Sequence, residues 1–550
     1  MRHLKMLLAV VTAAVLSASL TSCTQLGTRA PRVASTFTFG VAGAPTSFDP
    51  FYGSDGDTFR ITRQIFDTLI SVKPGSTAPA PGLATSWAAD PTGKVWTFRL
   101  RSNVTFSDGT PFDATSVCAN LSRMYGQAPA GQAAAAYWSA FFGGFRSDVD
   151  KTSSLYRSCA ATSMTTAVIT IDHPTGRFPA MLAEPAFAMQ SPQALTSGDA
   201  NAIKQVGGGF SYPANAAHPV GTGPYVLERY DAGNGRVVLV RNPHYWGRRA
   251  STQRLVFRII PDESARRQAL EAGTVNGYDL PDPVDWAGLR AEGDQVELRD
   301  PDNLLYVGLG PAHNKLLTSL KVRQALYYAL NRKRLVKAVL PDGTRAATQF
   351  VPTGVSGHND TIASYAYSPA KAKQLLTAAH ATGMKLTFAY PTGVSLPYLP
   401  DPVSVYDSLR TDLEAVGVKV TVVSAPWPEY QEAVRAGRYD AYLGGWAGDS
   451  ADAYGPLGAL FADPARGAFH TAGATWAKPL AAALQAADAT VDPAARDGRF
   501  QALNAQIMTH YLPGLPIASS PSALVLDGTA KGLVPSAPGA ESFAAATAAP

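Results

Sequence analysis

The sequence between residues 385 and 446 alternates strand and helix patterns, and this alternation constrains the fold more than any other feature. Two helix patterns separate three short apolar strand patterns, which read KLTFAYP, VKVTVVS and YDAYLGGW. The first helix pattern begins with Pro402 and ends at Gly417, as helices commonly do. Strands that alternate with helices form an open sheet with right-handed crossovers. The sequence therefore predicts an α/β fold.

The segment GGWAGDSADA, residues 444–453, lies at the carboxyl end of the third strand pattern. Open α/β sheets bind their ligands beyond the carboxyl ends of the strands. The segment also combines glycines with Trp446 and two acids, Asp449 and Asp452. We therefore treat it as a candidate binding segment.

Length and composition indicate a large globular protein. A chain of 550 residues is long enough for two large lobes or about three domains. Its content of 46% hydrophobic and 16% charged residues is ordinary for a folded protein with more than one core. The net charge of +5 comes with no basic run and no recognition motif, so nucleic acid is not expected as a partner.

The N-terminus has the pattern of a bacterial lipoprotein signal. A short basic start precedes an apolar stretch at residues 6–20, which is shorter than the ~20 residues needed to span a bilayer. LTSC at 20–23 resembles a lipobox, whose cysteine is acylated after cleavage. We expect a signal peptide at 1–22, a lipid on Cys23 and a tether over 23–35, which would anchor the protein on the extracytoplasmic face of a bacterial cell membrane. The alternative is a plain secretory signal with a chance cysteine.

Two further cysteines, Cys118 and Cys159, lie in the body of the sequence. Thiol pairs outside the cytoplasm are usually oxidised, so we expect a disulfide between them. Two separate buried thiols are the alternative. Neither cysteine is near a histidine in the sequence, which argues against a catalytic thiol.

Enzyme signatures are absent from the sequence. It contains no GxSxG, P-loop or HExxH motif, and no two of its nine histidines have metal-ligand spacing. GTGPY at 221–225 is rich in glycine, but it precedes a strand pattern and lacks the helix N-terminus that phosphate binding uses. We therefore expect no enzymatic activity, no cofactor and no dedicated metal site.

Local patterns predict several individual elements. Asp108-Gly109 and Asn234-Gly235 are hairpin turn signals. Apolar residues spaced from Val322 at helical intervals predict one amphipathic helix over residues 320–340.

Nine segments occur along the chain in the order of one known family. They are SFDP (47–50), PGLATSW (81–87), WTFRLRSNVTFSDGTPFDA (96–114), GTGPYVLERY (221–230), RNPHYWG (241–247), VRQALYYALNRKRLV (322–336), SPAKAKQLL (368–376), GGWAGD (444–449) and LPGLPI (512–517). Single motifs are weak, but nine in order are specific. The chain after the tether resembles the peptide-binding class of extracytoplasmic solute-binding proteins of ABC importers, bacterial extracellular solute-binding family 5.

The resemblance implies a two-lobed, periplasmic-binding-protein-like α/β fold of class II and of the three-region peptide-binding type, with a hinge between the lobes. The first lobe would be discontinuous and comprise residues 36–66, 187–279 and 512–550. An extra region, residues 67–186, would pack on it, and residues 280–511 would form the second lobe. Ligand would bind between the lobes, which close by a hinge motion.

The resemblance also implies function and partners. A monomer of this family would capture oligopeptides or similar amine-bearing solutes. It would deliver them to the transmembrane subunits of an ABC permease, while its N-terminal lipid holds it at the membrane.

In peptide-binding members, an aspartate after a Gly-Trp segment pairs with the N-terminal ammonium of the ligand. Asp449 occupies this position, after Gly445, Trp446 and Ala447. A charge-assisted hydrogen bond contributes roughly 1.5–3 kcal/mol, and glycine lets a ligand approach the backbone closely. Alternatively, Asp449 caps a turn or the following helix, a role that suits Asp452 better.

The resemblance places Ser54, Asp55 and Gly56 on the opposite wall, where they would contact the main chain of the ligand. Trp427 sits where relatives place an aromatic residue near a ligand side chain, and it fits a core role equally well. Further aromatic residues that could line side-chain pockets are Tyr137, Trp138, Phe141 and Phe142.

The chain departs from the pattern of short-peptide binders in one respect. Those proteins often carry an arginine in the second lobe that clamps the ligand carboxylate, and residues 390–406 contain none. Longer peptides therefore stay open as ligands, as do nickel complexes, haem and oligosaccharides. A surface hydrolase that uses Asp449 and Asp452 is a remote alternative, because acids three residues apart on a turn do not flank a scissile bond.

Overall fold

A computed structural model describes residues 35–148, 154–311, 314–448, 452–465 and 467–549. The predicted signal peptide and the predicted lipidation site Cys23 lie outside the described residues, and so does Asp449.

The described chain contains 21 strands. In chain order they are β1 Thr36–Val41, β2 Ile70–Val72, β3 Pro79–Pro81, β4 Ala84–Ala89, β5 Val95–Leu100, β6 Tyr156–Ser163, β7 Thr166–Ile171, β8 Lys204–Val206, β9 Gly209–Ser211, β10 Tyr225–Asp231, β11 Arg236–Arg241, β12 Arg254–Ile259, β13 Gly277–Asp279, β14 Gln295–Leu298, β15 Asn303–Leu309, β16 Arg345–Ala346, β17 Lys385–Thr392, β18 Lys419–Pro426, β19 Ala441–Ala447, β20 Gly514–Ser519 and β21 Ala523–Leu526.

The same residues form 16 α-helices. They are α1 Gly56–Ile65, α2 Ala114–Tyr125, α3 Pro129–Ala134, α4 Ala136–Phe142, α5 Phe178–Met181, α6 Pro192–Ser197, α7 Glu263–Glu271, α8 Trp286–Glu292, α9 Leu320–Ala329, α10 Arg332–Ala338, α11 Pro369–Ala378, α12 Pro402–Ala415, α13 Trp427–Arg435, α14 Tyr454–Phe461, α15 Ala477–Asp488 and α16 Pro493–Gln506. Within the described ranges, no helix combines the length and apolar character needed to span a bilayer.

The first lobe is built on a seven-stranded sheet of order β10-β11-β12-β1-β13-β21-β14. Strand β1 lies at its centre and pairs in parallel with β12 and β13. The aromatic side chains of Phe37, Phe39 and Phe257 all pack against Phe543, whose ring centroid lies 5.0 Å from that of Phe39. The C-terminal segment therefore completes the core of this lobe.

The second lobe is built on a six-stranded sheet of order β16-β20-β15-β19-β17-β18. Strand β17 runs parallel to both β18 and β19, and helices α12 and α13 connect these three strands. The predicted alternation of strands and helices is confirmed here. Together the two sheets confirm the predicted two-lobed α/β fold.

The chain crosses between the lobes at two places. The first crossing lies between β14, in the first sheet, and β15, in the second, and the other lies between β20 and β21. The predicted boundaries at 280 and 512 assign β14 and β20 to the other lobe. The difference arises because strand pairing decides to which sheet a strand belongs. Strand β14 pairs with β21 and β20 pairs with β15, and local sequence does not reveal pairing between segments so far apart.

The extra region has its own four-stranded sheet, of order β4-β5-β7-β6, and its own core. Trp138 is fully buried there and stacks on Phe142 with a centroid distance of 4.4 Å. A disulfide joins Cys118 of α2 to Cys159 of β6, with the two Cα atoms 5.2 Å apart. The covalent bond thus fixes a helix to the edge strand of this sheet.

Both predicted hairpin turns are confirmed. Gly109 and Gly235 have φ angles of +86° and +58°, which glycine adopts without strain. The single helix predicted over 320–340 is wrong, because α9 ends at Ala329 and α10 begins at Arg332. Asn331 lies between them and caps α10 by accepting a hydrogen bond from the backbone N–H of Arg334 at 3.0 Å.

A buried ion network holds the first lobe together. Arg60 of α1 pairs with Asp279 of β13 and with Glu541 of the C-terminal segment, and Arg299, at the first crossing, pairs with the same two acids. Asp57 adds a pair to Arg60 at 2.7 Å. Burial by itself would raise the pKa of Asp279, but Arg299 and Arg60 outweigh it, so that pKa is lowered. The network thus joins a helix, a strand, a crossing and the C-terminus.

We predict that Glu541→Gln destabilises the protein by about 3–5 kcal/mol, because it takes an anionic partner from both buried arginines, Arg60 and Arg299. Glu228→Gln, which removes an exposed partner of Arg254, should change stability by less than about 1 kcal/mol. Denaturant unfolding followed by circular dichroism compares the two variants. Equal effects would show that the buried network does not stabilise the fold.

Candidate functional site

The carboxyl end of β19 lies beside a cavity between the two lobes. Strands β17, β18 and β19 run in the same direction, so their carboxyl ends meet at one edge of the second sheet. A cavity of about 260 Å³ lies where this edge faces the first lobe and the extra region. The topology therefore puts the candidate binding segment where an α/β sheet binds ligand.

The second lobe contributes Trp446, Gly448, Asp452 and Gly455 to the cavity wall. Trp446 is half-buried, and its indole lies against Gly448, where a Cβ atom would come within 2.6 Å of the ring. Asp449 itself lies outside the described residues, but described residues on both sides of it face the cavity.

Two tyrosines explain the glycines of β19. A Cβ atom on Gly444 would lie 2.5 Å from the ring of Tyr306, and one on Gly445 would lie 2.2 Å from the ring of Tyr398. Burial raises the pKa of Tyr398 to about 12, so its hydroxyl stays protonated at neutral pH. Gly445 was expected to let a ligand approach the backbone, but in the structure the ring of Tyr398 occupies the space beside its Cα atom. Ala447 is exposed and is not among the described residues that line the cavity.

Asp452 has structural partners on both carboxylate oxygens. Oδ1 accepts a hydrogen bond from the backbone N–H of Tyr454, in the first turn of α14, at 2.8 Å. Oδ2 accepts one from Arg496 at 2.5 Å. Asp452 thus closes a turn at the start of α14, although Ala453 is the N-cap residue of that helix. Its ion pair with Arg496 leaves it poorly suited to act as a catalytic acid or base.

The ion pair of Asp452 continues to a contact between the lobes. Arg496 also pairs with Asp488 at 2.8 Å, and Asp488 accepts a hydrogen bond from Thr175 of the extra region at 3.1 Å. The backbone N–H of Gly176 donates to the carbonyl oxygen of Asp488 at 2.7 Å. A cavity-lining carboxylate is therefore connected to the interlobe contact through two further side chains.

Arg177 belongs to both the interlobe contact and the cavity. Its guanidinium lies 4.4 Å from the centroid of the Tyr454 ring, and its Nε is 3.4 Å from Asp488. It also lines the cavity, as do Arg63 of α1 and Glu184, which follows the short helix α5. With Asp452, the described lining thus presents two cationic and two anionic side chains.

The wall opposite the second lobe comes from α1, the extra region and the C-terminal segment. Helix α1 contributes Phe59 and Arg63, which lie one turn apart. Phe141 lies beside them, and residues 537–540 complete this side.

Four aromatic residues were expected to line side-chain pockets, and of these only Phe141 lines the cavity. Trp138 and Phe142 lie in the core of the extra region, and Tyr137 packs against that core.

The remaining predicted site residues lie outside the described cavity wall. Ser54 and Gly56 are exposed, and Asp55 caps α1 by accepting a hydrogen bond from the backbone N–H of Thr58 at 2.7 Å. Trp427 begins α13 and packs on the core of the second lobe. Its half-buried ring stacks on Tyr430 with a centroid distance of 6.1 Å. The contacts of Trp427 agree with its core role.

Sequence reasoning missed Arg63, Arg177 and Glu184. Arg63 lies in the last turn of the amphipathic α1, so its position on the helix was visible but its neighbours were not. Arg177 and Glu184 flank the short helix α5, and no pattern there signals a ligand contact. The described part of the cavity wall contains no histidine or cysteine. Among all the described residues, no group of three or more histidine, cysteine, aspartate or glutamate side chains could hold a metal ion.

Comparison with known proteins identifies the family. The sequence model described as "Bacterial extracellular solute-binding proteins, family 5 Middle" matches residues 78–467. The chain belongs to this family, and it is therefore a substrate-binding protein of ABC transporters and not an enzyme.

Curated relatives differ in what they bind. The chain is 28% identical over 497 residues to the dipeptide-binding protein of Escherichia coli K12. The alignment covers 88% of this chain and 90% of that protein. It is 30% identical over 443 residues to di/tripeptide-binding protein 1 of Pseudomonas aeruginosa, covering 78% and 79%. Heme-binding protein A of Haemophilus influenzae is 27% identical over 535 residues, covering 92% and 91%.

A solved structure supports the fold over nearly the whole chain. HbpA2 from Haemophilus parasuis superposes with a TM-score of 0.81 at 26% sequence identity. The match covers 93% of this chain and 99% of that one. The arrangement of lobes and extra region is thus shared with a member of the same structural class.

We predict that Gly176→Ala weakens the interlobe contact, because a Cβ atom there would lie 2.1 Å from the carbonyl oxygen of Thr490. Overpacking costs about 1–3 kcal/mol, which shifts the equilibrium toward separated lobes by a factor of about 5 or more. Gly498→Ala is the control, since a Cβ atom there meets nothing within 4 Å. Spin labels at the exposed Val284 and Val422 would report the interlobe distance. An unchanged distance distribution in Gly176→Ala would contradict the prediction.

Proposed function

We propose that this chain captures short peptides between its lobes and delivers them to an ABC permease. The observation that carries the proposal is the placement of the candidate binding segment. Described residues before and after Asp449 line a cavity that both lobes enclose. The peptide-binding relatives add support at the level of the family.

In the proposed complex, the Asp449 carboxylate accepts hydrogen bonds from the N-terminal ammonium of the peptide. Such a charge-assisted bond is shorter and stronger than a neutral one, and exclusion of water by the lobes strengthens it further. Trp446 would cover the first residue of the peptide. The binding energy would come from groups that every peptide carries, which fits a transport protein that accepts several sequences.

The peptide carboxylate would find its partner in the first lobe and the extra region. Arg63 of α1 and Arg177 of the extra region line the cavity, whereas the second lobe has no arginine at residues 390–406. A zwitterionic ligand would then lie across the cavity with its ammonium toward the second lobe. The cavity volume of about 260 Å³ is near the lower end of the ~300–1,000 Å³ common for ligand sites, which favours a small ligand.

Haem or another metal complex is the second candidate, because a relative of similar coverage is named for heme binding. The described cavity wall offers no histidine or cysteine as an axial ligand, so peptide is favoured. Absorption spectroscopy of the protein as purified tests this alternative directly. A Soret band in the purified protein would favour haem.

We predict that tri-alanine raises the melting temperature of the purified protein and that N-acetyl-tri-alanine does not, because acetylation removes the ammonium charge. Asp449→Asn should weaken tri-alanine binding by about tenfold or more, measured by isothermal titration calorimetry. Asp360→Asn is the matched control, since that side chain is 95% exposed. Equal binding of the acetylated peptide, or an unchanged affinity in Asp449→Asn, would contradict the proposed role of Asp449.

The proposal includes a lipid on Cys23 that anchors the mature protein outside the cytoplasm. We predict that Cys23→Ala moves the protein from the membrane fraction to the soluble extracytoplasmic fraction, because a lipid anchor is then lost. Labelling with a palmitate analogue and fractionation measure the change. Continued membrane association without label incorporation would argue against the anchor.

A further inference from the structure

A second chamber adjoins the cavity between the lobes. Its volume is about 420 Å³, and it lies among the end of α1, the β2–β3 hairpin, the Tyr245–Trp246 loop and the C-terminal segment. Four residues line both spaces: Arg63, Val72, Pro185 and Ala540. The cavity and the chamber therefore meet at these four residues.

The interlobe cavity and the chamber together are as large as a common ligand site, whereas the interlobe cavity alone is smaller. Alone, that cavity falls below the ~300–1,000 Å³ of common ligand sites, and with the chamber the total lies well inside this range. A peptide backbone in the cavity leaves little room there for a long side chain. The chamber supplies that room on the side of the first lobe.

A single carboxylate with only neutral hydrogen-bond donors lines the chamber. Oδ2 of Asp67 accepts hydrogen bonds from Nε1 of Trp246 and from Oγ1 of Thr222, each at 2.8 Å. Tyr245 also contacts this carboxylate. Burial raises the pKa of Asp67, and the hydrogen bonds from Trp246 and Thr222, together with the nearby positive charge of Arg101, only partly offset it. Arg101 is thus a nearby cation, but none of the described hydrogen bonds or ion pairs of Asp67 comes from a cationic side chain.

The neighbouring charges are already committed. Glu541 also lines the chamber, but its two oxygens pair with Arg60 and Arg299. Arg101 stacks on the Trp246 ring at 4.4 Å and donates to the carbonyl oxygen of Gly82, and it is not among the chamber's lining residues. Arg63 lies at the boundary with the interlobe cavity. Asp67 is thus the acid that an incoming cation would meet.

The remaining wall of the chamber suits an aliphatic stem. Phe66, Tyr245 and Trp246 supply aromatic surface, and Pro74, Pro81 and Pro224 supply apolar ring edges. Lysine and arginine side chains pack their methylene groups on such surfaces while the charged end contacts a polar group. An aromatic wall with one carboxylate therefore matches a basic side chain better than an acidic or purely apolar one.

We propose that the Asp67 chamber binds the basic side chain of a peptide whose backbone lies in the interlobe cavity. The proposal rests on the proposed function, since it assumes a peptide in that cavity. It narrows the ligand class to peptides in which the side chain that faces the first lobe belongs to lysine or arginine.

Calorimetric titration with five tripeptides tests the proposal. The probes are tri-alanine, Ala-Lys-Ala, Ala-Ala-Lys and the two analogues in which norleucine replaces lysine. At one of the two positions, lysine should bind about tenfold more tightly than norleucine, which has a similar stem without the charge. Equal affinities for lysine and norleucine at both positions would overturn the proposal.

Two variants assign any lysine preference to the chamber. Asp67→Asn should abolish the preference for lysine over norleucine, whereas the exposed control Asp360→Asn should keep it. Ser542→Trp fills the chamber from an exposed lining position, so it should weaken the lysine peptide more than tri-alanine, even if Asp67→Asn folds poorly. A preference that persists in Asp67→Asn, or an equal effect of Ser542→Trp on both peptides, would overturn the proposal.

The test separates this inference from the proposed function. If no peptide binds, tri-alanine included, the proposed function fails and the chamber proposal fails with it. If tri-alanine binds but lysine gives no advantage, the proposed function stands and only the chamber proposal is lost.

Discussion

Arg60 and Arg299 organise the side of the first lobe that faces the cavity. Both are buried and share the acids Asp279 and Glu541, so a change at either arginine would take from each acid one of its two cationic partners. Buried ion pairs of this kind add little net stability over apolar packing, but breaking one is costly. The network therefore acts mainly to fix the relative positions of the segments it joins.

Those segments supply much of the first lobe's contribution to the cavity and the chamber. Arg60 lies on the same helix as Arg63 and one position from Phe59, and Glu541 follows directly after the cavity-lining Ala540. Arg299 lies at the first crossing between the lobes, where its Nε donates to the carbonyl oxygen of Ser536 at 2.6 Å. The geometry of the binding wall and the start of the hinge thus depend on the same four charges.

The sequence predicted elements whose signals are local. The strand–helix alternation of 385–446 and the turn at Asn234-Gly235 depend on periodicity and on residues that are neighbours in sequence. The lobe of β14 depends on pairing with β21, more than two hundred residues away, so local patterns could not assign it. The break in the predicted helix at 320–340 arose from a cap at Asn331 that apolar periodicity does not detect.

Some features of the candidate site were likewise visible in the sequence, whereas others depend on tertiary packing. The resemblance located the segment around Trp446, because its glycines and indole form a recognisable string. It did not show that Tyr398 covers Gly445, or that Asp55 caps α1, since both facts depend on which side chains fold against those positions. Arg63 reaches the cavity only through the packing of α1 on the extra region, for which the sequence carries no signal.

The buried ion pairs of the two lobes are connected differently. In the first lobe the network is closed on itself, whereas in the second lobe the chain from Asp452 through Arg496 to Asp488 ends at a contact with the extra region. A ligand changes the balance between touching and separated lobes only if it binds the two arrangements with different affinity. Asp452 and Arg177 line the cavity and also belong to the contact or its ion pairs, so a ligand that touches them has such a differential. The first lobe, whose segments the ion network joins, would then hold the ligand, and the contact of the second lobe with the extra region would couple ligand binding to closure.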